Sequence, residues 1–202
     1  MNMRYRFLID SYETERLKVV SVWSMFRDDD LAVRPHVIDK RGRSVREHMI
    51  HQCVSENNWF RGMLGIDVVS SPLPVEETRL AFIREYATAS QRRIDALKRT
   101  TDEWWEEEVR FFDVPRSRAW VMVRRIAHTA HHRGQQMTML RMLNRDLHSN
   151  YGPTADTGGL AQDGGRVIYA YGTIEALLEG ETAGGAKATL PAPSRKPLTE
   201  RP

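Results

Sequence analysis

The sequence contains a single cysteine, Cys53, among its 202 residues. A disulfide within the chain is therefore excluded, and the composition fits a reducing compartment such as the cytosol. The chain has no run of about 18 apolar residues, which excludes a membrane-spanning helix. Its first residues also lack the long apolar stretch of a secretory signal. These absences predict a cytoplasmic protein that has no membrane partner.

An excess of charge of one sign is also lacking. The chain has 30 basic and 27 acidic residues, for a net charge of +3. Because no basic stripe with interleaved aromatic residues is present, nucleic acid is not expected as a partner. Apolar residues make up 41% of the chain and charged residues 28%, which is typical of a globular protein that buries its own core.

Strand patterns are scarce, and helical periodicity dominates most of the chain. Apolar residues recur at helical spacing in four long segments, and these predict helices at about residues 5–26, 44–64, 75–98 and 116–143. The second segment opens with Ser44-Val-Arg-Glu47, which has the form of a capping box. The fourth follows Pro115, a residue suited to a first helical turn. Between the third and fourth, we expect a short helix at residues 102–108 and an extended piece at residues 109–112.

Four helices that each carry one apolar stripe predict an all-α fold, an antiparallel four-helix bundle. Beyond residue 150 the pattern changes to turns and loops, which predicts an irregular C-terminal extension. A short helix is expected there at residues 173–180. Residues 182–202 contain mainly Ala, Gly, Pro and charged residues, and we predict a disordered tail.

Three of the seven histidines fall within five positions of the fourth predicted helix, at His128, His131 and His132. Residues four apart lie on the same helix face, so His128 and His132 point the same way and can share one divalent cation. His131 is one position off that face and is expected at the surface or beside the ligands. Such a pair predicts a metal site, whereas the competing interpretation is a set of histidines that bind nothing.

A catalytic metal usually needs a third protein ligand. His36 and His148 fall in predicted loops, which leaves His48 and His51 on the second helix. Neither lies at the centre of that helix's apolar stripe, so periodicity alone leaves the choice between these two histidines open.

The stretch His128-Thr-Ala-His-His-Arg-Gly-Gln135, followed by Met139-Leu-Arg141, resembles the hallmark of the DinB/YfiT-like metalloprotein family. The segment from Ser44 to Glu56, with Trp59 beyond it, is similar to a family segment in which a ligand histidine precedes a glutamate by five. The resemblance extends through Ser149-Asn-Tyr-Gly-Pro-Thr-Ala-Asp156 and covers about residues 5–156. It implies a bundle domain at residues 1–156. The extension at residues 157–181 and the tail at residues 182–202, both predicted from composition, lie outside the resemblance.

What this resemblance implies about the site is specific. The register selects His51, with Glu56 as the glutamate, and implies that His51, His128 and His132 bind one divalent transition metal, nickel or zinc. It also implies a homodimer and a damage-inducible family. Some relatives are metal-dependent thiol S-transferases that act on small molecules and use low-molecular-weight thiols, so a transferase is the expected activity. A metal-dependent hydrolase and a non-catalytic protein stabilised by its metal are the alternatives.

Several neighbouring residues have expected roles, although no catalytic or cofactor-binding residue can be assigned. Glu56 lies about 140° round the helix from His51, so it should form a structural ion pair away from the metal. Cys53 is expected to be a small core residue. The outer nitrogens of the ligand histidines need hydrogen-bond partners, for which the candidates are His131, Gln135 and Glu47.

Overall fold

The computed structural model describes residues 4–193. Six α-helices and one two-stranded hairpin make up its regular structure, apart from short 3₁₀ turns: α1 (Arg6–Met25), α2 (Val45–Gly62), α3 (Arg79–Leu97), α4 (Asp102–Glu106), β1 (Glu108–Phe111), β2 (Val114–Ser117), α5 (Arg118–Met142) and α6 (Ile174–Thr182). The four long helices match the four predicted segments, and the all-α prediction is confirmed.

The long helices form a four-helix bundle in which α1 and α2 each pack against both α3 and α5. Large side chains fill the interior, and Trp23, Tyr86, Phe60 and Trp105 are almost completely buried. Burying one such side chain contributes about 1.5–3 kcal/mol, so the core is the main source of stability. Because α2 packs directly against α5, the faces that carry the histidines are adjacent.

Local capping chemistry determines where the helices begin. Ser44 accepts a hydrogen bond from the backbone N–H of Glu47, whose carboxylate accepts one from the N–H of Ser44. The predicted capping box therefore forms and begins α2. The third helix begins later than predicted, because Thr78 is its N-cap, and Val75 is fully exposed ahead of it.

The start of α5 also differs from the prediction. Pro115 lies in β2, opposite Arg110 of β1, rather than in a first helical turn. The N-cap of α5 is Ser117, which accepts a hydrogen bond from the N–H of Trp120. The extended piece predicted before this helix is β1, and Phe112 at the hairpin turn has a positive φ of 52°.

The chain after residue 156 packs along the bundle. Ile174 and Leu177 of α6 belong to the same core cluster as residues of α1 and α3. Glu181 at the end of α6 is buried, pairs with Arg79 of α3 and accepts a hydrogen bond from Tyr171 at 2.7 Å. The short helix predicted in this segment is therefore present and docked.

The division of the chain into residues 1–156, 157–181 and 182–202 stays a prediction. The last nine residues of the predicted tail, 194–202, lie outside the described residues. Between residues 4 and 193, no helix is both long and apolar enough to cross a membrane.

Candidate metal centre

Helices α2 and α5 carry the histidines of the predicted site. His51 lies on α2, and His128 and His132 lie one turn apart on α5. Each of the three rings offers one nitrogen that lies within 4.8 Å of the other two. The structure thus brings together the three residues that the family resemblance selects, and we call them the histidine group.

The other histidines of α2 and α5 lie beside this group. The ring centroid of His51 is 4.5 Å from that of His132, whereas the centroid of His48 is 5.6 Å from it. His48 is only 4% exposed, and it is not one of the three converging rings. His131 is exposed on the outer side of α5. The geometry therefore separates His51 from His48, which helical spacing alone does not.

The spacing of the donor nitrogens suits a single metal ion. The Nε2 atoms of His128 and His132 are 3.2 Å apart. Two imidazole nitrogens on one tetrahedral ion are separated by about 3.4 Å, because each metal–nitrogen bond is about 2.1 Å long. The His51 nitrogen lies at most 4.8 Å from the other two, a gap that a small side-chain rotation closes. These residues therefore fit the metal that the resemblance implies.

The protonation states of the three rings also suit a metal. Burial, together with the charge of Arg125, lowers the pKa of His128 to about 3. Burial lowers the pKa of His132 to about 4, although the hydrogen bond with Gln135 opposes this shift. Burial also lowers the pKa of His51. All three imidazoles are therefore neutral near pH 7, which is the form that binds a metal.

Hydrogen bonds engage the outer nitrogens of the two α5 rings. The Nδ1 of His132 donates to Oε1 of Gln135 at 2.9 Å, which leaves the lone pair on its Nε2. The Nδ1 of His128 lies 2.9 Å from Nη2 of Arg125. A guanidinium can only donate, so this Nδ1 is the acceptor. The Nδ1 of His132 therefore faces a hydrogen-bond acceptor, whereas the Nδ1 of His128 faces a donor.

The model of the DinB family matches residues 2–156. The chain belongs to the DinB family. A DinB-like protein from Bacillus cereus has a similar structure, with 18% identity, a TM-score of 0.62 and coverage of 71% of this chain and 95% of that one. A DinB-like protein from Bacillus subtilis is also similar, with 11% identity, a TM-score of 0.54 and coverage of 69% of this chain and 94% of that one. No curated protein matches the chain.

Aromatic side chains cover one side of the histidine group in this DinB-family protein. The Trp59 ring lies beside His128, with the ring centroids 5.6 Å apart. Phe111 and Phe112 of the hairpin pack edge-on against Trp59 at 5.3 and 6.3 Å. Phe112 is nonetheless 65% exposed. The hairpin therefore forms an apolar wall that shields this side of the group from water.

A cavity of about 320 Å³ lies on another side of the site. Its lining combines basic, apolar and polar side chains from the loop before α2 and from the two histidine helices: Pro35, Arg41, Gly42, Arg43, His48, Gln135, Thr138, Met139 and Met142. Because Gln135 also contacts His132, the cavity borders the histidine group. A larger cavity, of about 860 Å³, is lined in part by residues of the chain after α6, and it includes none of the three histidines.

The predictions for Cys53 and Glu56 agree with the structure. Cys53 is 2% exposed within the core, and burial raises the pKa of its thiol, so it is a packing residue. Glu56 pairs with Arg93 at 2.9 Å, and both side chains are about 1% exposed. Glu56 therefore acts as a structural ion-pair partner, as the helical offset from His51 predicts.

The environment of the histidines was only partly predicted. Of the three candidate outer partners, Gln135 contacts a ligand candidate, whereas Glu47 closes the capping box and pairs with Arg34, and His131 lies near the amide of Gln135. The contact of Arg125 with His128 was not predicted from the sequence. The position of Arg125 three residues before His128, on the same helix face, is the signal that points to it.

Proposed function

We propose that this DinB-family protein binds one divalent transition metal through His51, His128 and His132 and is a metal-dependent enzyme acting on a small molecule. The observation that carries this proposal is the convergence of three neutral imidazoles. Among residues 4–193, no fourth histidine, cysteine or carboxylate joins the group, so one side of the ion is left for a ligand. Imidazoles suit several transition metals, and the family resemblance favours nickel or zinc.

The reaction that we favour is substitution by a low-molecular-weight thiol at an electrophilic carbon of a small molecule: the thiolate forms the carbon–sulfur bond, the bond from that carbon to the leaving group breaks, the leaving group departs as an anion, and the thiol proton passes to water. A metal of this kind, when bound, favours the ionised form of a thiol or of water. Gln135 orients His132, and the Trp59 wall shields the His128 side of the group from water. The cavity beside Gln135 has the size of a small-molecule site, and Arg41 and Arg43 at its edge can pair with acidic groups of such a thiol.

Hydrolysis is the second candidate, and the surroundings of the group support it less. A hydrolase needs a base that removes a proton from the attacking water. Glu56, the glutamate that follows His51 in the family segment, is fully buried and engaged with Arg93, Tyr12 and Tyr86. It is therefore not free to take up that proton.

A purely structural metal is the third candidate. In that role the ion would tie α2 to α5. Helix α2 is already joined to α1 and α3 through Glu56, and a hydrogen bond from Arg125 to Ser55 joins it to α5. Because these contacts do not involve a metal, we favour a catalytic role.

The metal proposal is tested by measuring metal stoichiometry on untagged protein by elemental mass spectrometry. We expect about one nickel or zinc ion per chain, lost in His51→Ala, His128→Ala and His132→Ala. His131→Ala is the matched control, because His131 is on the same helix but exposed, and it should retain the ion. A metal-free wild-type protein, or retention of the ion in His128→Ala, would overturn the proposal.

The reaction is tested with cysteine as the thiol and 1-chloro-2,4-dinitrobenzene as the electrophile. Protein loaded with nickel or zinc should accelerate formation of the thioether, whereas protein whose metal has been removed by a chelator should not. Loaded protein that hydrolyses 4-nitrophenyl acetate but leaves thioether formation unchanged would favour the hydrolase.

The homodimer that the resemblance implies stays a prediction. Trp105 is buried and Trp104 partly buried, so these tryptophans do not form a large exposed patch. Exposed apolar side chains near the hairpin, Phe112, Trp120 and Val123, are better candidates for an interface.

A further inference from the structure

A second cavity, of about 200 Å³, lies between α1 and the chain after α5. One face of α1 forms the first wall, and residues 149–150 and 169–172 form the second, with Leu17, Lys18 and Ser21 on one side and Asn150, Tyr169 and Tyr171 on the other. None of the three histidines lines it. The two tyrosines lie beyond residue 156, where the match to the DinB family ends. The cavity is therefore built partly from the extension that the family model does not include.

Hydrogen bonds hold the second wall in place. The backbone N–H of Ser149 donates to the carbonyl of Ile168 at 2.8 Å, and the N–H of Ile168 donates to Oγ of Ser149 at 3.0 Å. On the next residue, Nδ2 of Asn150 donates to the carbonyl of Lys18 in α1 at 3.2 Å. The extension is thus attached to residue 149, and Asn150 is attached to the helix that forms the first wall. Both walls are fixed relative to each other.

Two polar side chains of the lining are left without partners. Among the described residues, neither Oγ of Ser21 nor Oδ1 of Asn150 has a hydrogen-bond partner, although Ser21 is only 4% exposed and Asn150 only 1%. Buried polar groups are normally paired, because leaving one unpaired is costly. The amide oxygen can only accept a hydrogen bond, whereas the hydroxyl can also donate one. A ligand that carries both a donor and an acceptor would satisfy the two groups.

Charge and size restrict the ligand further. The ammonium of Lys18 lies 3.6 Å from Oε1 of Glu15 and 3.9 Å from the centroid of the Tyr151 ring, so its charge is already engaged and the cavity favours a neutral ligand. Tyr169 and Tyr171 supply aromatic surface, against which another ring packs well. An apolar cavity of about 150 Å³ holds one benzene ring. A cavity of about 200 Å³ therefore admits a single ring with one small substituent.

We propose that this cavity is a binding site for a neutral carboxamide carried on a single aromatic ring. The amide N–H of the ligand donates to Oδ1 of Asn150, its carbonyl accepts from the hydroxyl of Ser21, and its ring packs against the two tyrosines. A carboxamide combines the required donor and acceptor in one uncharged group. This site is separate from the metal centre, and it does not depend on the function proposed there.

The test measures binding of benzamide to the full chain by isothermal titration calorimetry. We expect a Kd of about 0.1–1 mM, which is in the range for a ligand of about nine non-hydrogen atoms. Acetophenone has the same shape but a methyl group in place of the amide nitrogen, so it cannot donate to Asn150. It should bind about fivefold more weakly, the size of one hydrogen bond. Benzoate, which brings a negative charge and no donor, should also bind more weakly than benzamide.

Ser21→Ala tests the polar contact. It should weaken benzamide binding about fivefold and leave Tm nearly unchanged, because the hydroxyl has no partner among residues 4–193. Ser24→Ala is the matched control, since Ser24 is also buried on α1 but does not line this cavity. It should bind benzamide like wild type.

Gly172→Leu tests the location. Gly172 lines the cavity, and an added Cβ there would meet no atom within 4 Å, so a leucine side chain can occupy the space and should abolish binding. Gly152→Leu is the matched control, because the surroundings of Gly152 are equally open but it does not line the cavity. Circular dichroism establishes that the variants fold, and Gly172→Val replaces Gly172→Leu where the latter is unfolded.

Several results would overturn this inference. Wild type that does not bind benzamide, equal affinity for benzamide and acetophenone, or tighter binding of benzoate would show that the cavity is not a carboxamide site. Wild-type affinity in Ser21→Ala or in the folded Gly172 variant would place benzamide elsewhere. Loss of benzamide binding in His128→Ala would place it at the metal centre, whereas unchanged binding in that variant supports a separate site.

Discussion

The buried carboxylate of Glu56 allows a quantitative prediction about stability. Its Oε1 accepts hydrogen bonds from Tyr12 at 2.6 Å and Arg93 at 2.9 Å, and its Oε2 accepts one from Tyr86 at 2.8 Å. It therefore joins α1, α2 and α3 at one point. Glu56→Gln keeps the shape but removes the charge, so the guanidinium of Arg93 stays buried without a counter-ion. Breaking a buried pair in this way costs about 3–5 kcal/mol.

This loss is a large fraction of the stability of a domain, which is about 5–15 kcal/mol. For a chain of this size each kcal/mol shifts Tm by about 2–4 °C, so we expect a decrease of about 6–20 °C. The measurement is thermal and urea unfolding followed by circular dichroism, with a chelator present to remove any contribution from metal.

Two further variants make this test discriminating. Glu77→Gln is the matched control, because Glu77 forms an exposed ion pair with Arg46, and its loss should cost less than about 1 kcal/mol. The double variant Glu56→Gln, Arg93→Met should be more stable than Glu56→Gln alone, because it no longer buries the Arg93 charge without a counter-ion. The reasoning is refuted if Glu56→Gln unfolds like Glu77→Gln, or if the double variant is less stable than the single one.

The remaining predictions concern pH and helix capping. Burial lowers the pKa of His48 from 6.5 to about 4, so between these pH values the unfolded chain binds more protons and the stability of metal-free protein falls as pH is lowered. Urea unfolding at several pH values in that range should show that the free energy of unfolding changes less with pH in His48→Gln than in wild type. An equal pH dependence in the two proteins would contradict the prediction. Ser44→Ala removes the acceptor for the N–H of Glu47 and should cost about 0.5–2 kcal/mol in urea unfolding. Ser44→Asp keeps an acceptor and should recover most of the free energy of unfolding that Ser44→Ala loses. Equal stability of Ser44→Ala and Ser44→Asp would count against the capping role.

The helices could be predicted from the sequence because periodicity and capping act locally. The Ser44 box and the stripe of α2 each involve residues within a few turns, and both predictions agree with the structure. The exceptions are at boundaries where two local rules compete. Val75 continues a helical pattern, but Thr78 supplies the cap, and Pro115 fits a helix start as well as a hairpin strand.

The candidate site was predictable where one helix determines it and ambiguous where two must meet. His128 and His132 share a face because they are four apart, and this needs no partner helix. His48 and His51 are three apart, so both can approach α5, and both rings lie within 5.6 Å of the His132 centroid. The register of α2 against α5 decides between them, and that register depends on packing across the whole bundle.

The structure separates the groups that stabilise the bundle from the groups that can bind a ligand. Glu56 links three helices at the centre of the bundle, and Arg133 of α5 pairs with Glu15 of α1. The groove between α2 and α5 instead holds buried and partly buried histidines, an unpaired Nδ1 of His48 and the guanidinium of Arg125, which has no ion pair with any carboxylate of residues 4–193. An unpaired buried polar group costs about 1–3 kcal/mol, and a buried cation without a counter-charge is also costly, so these groups do not contribute to stability as Glu56 and Arg133 do. The convergence of His51, His128 and His132 in this groove is therefore better explained by the metal proposed above than by the stability of the bundle.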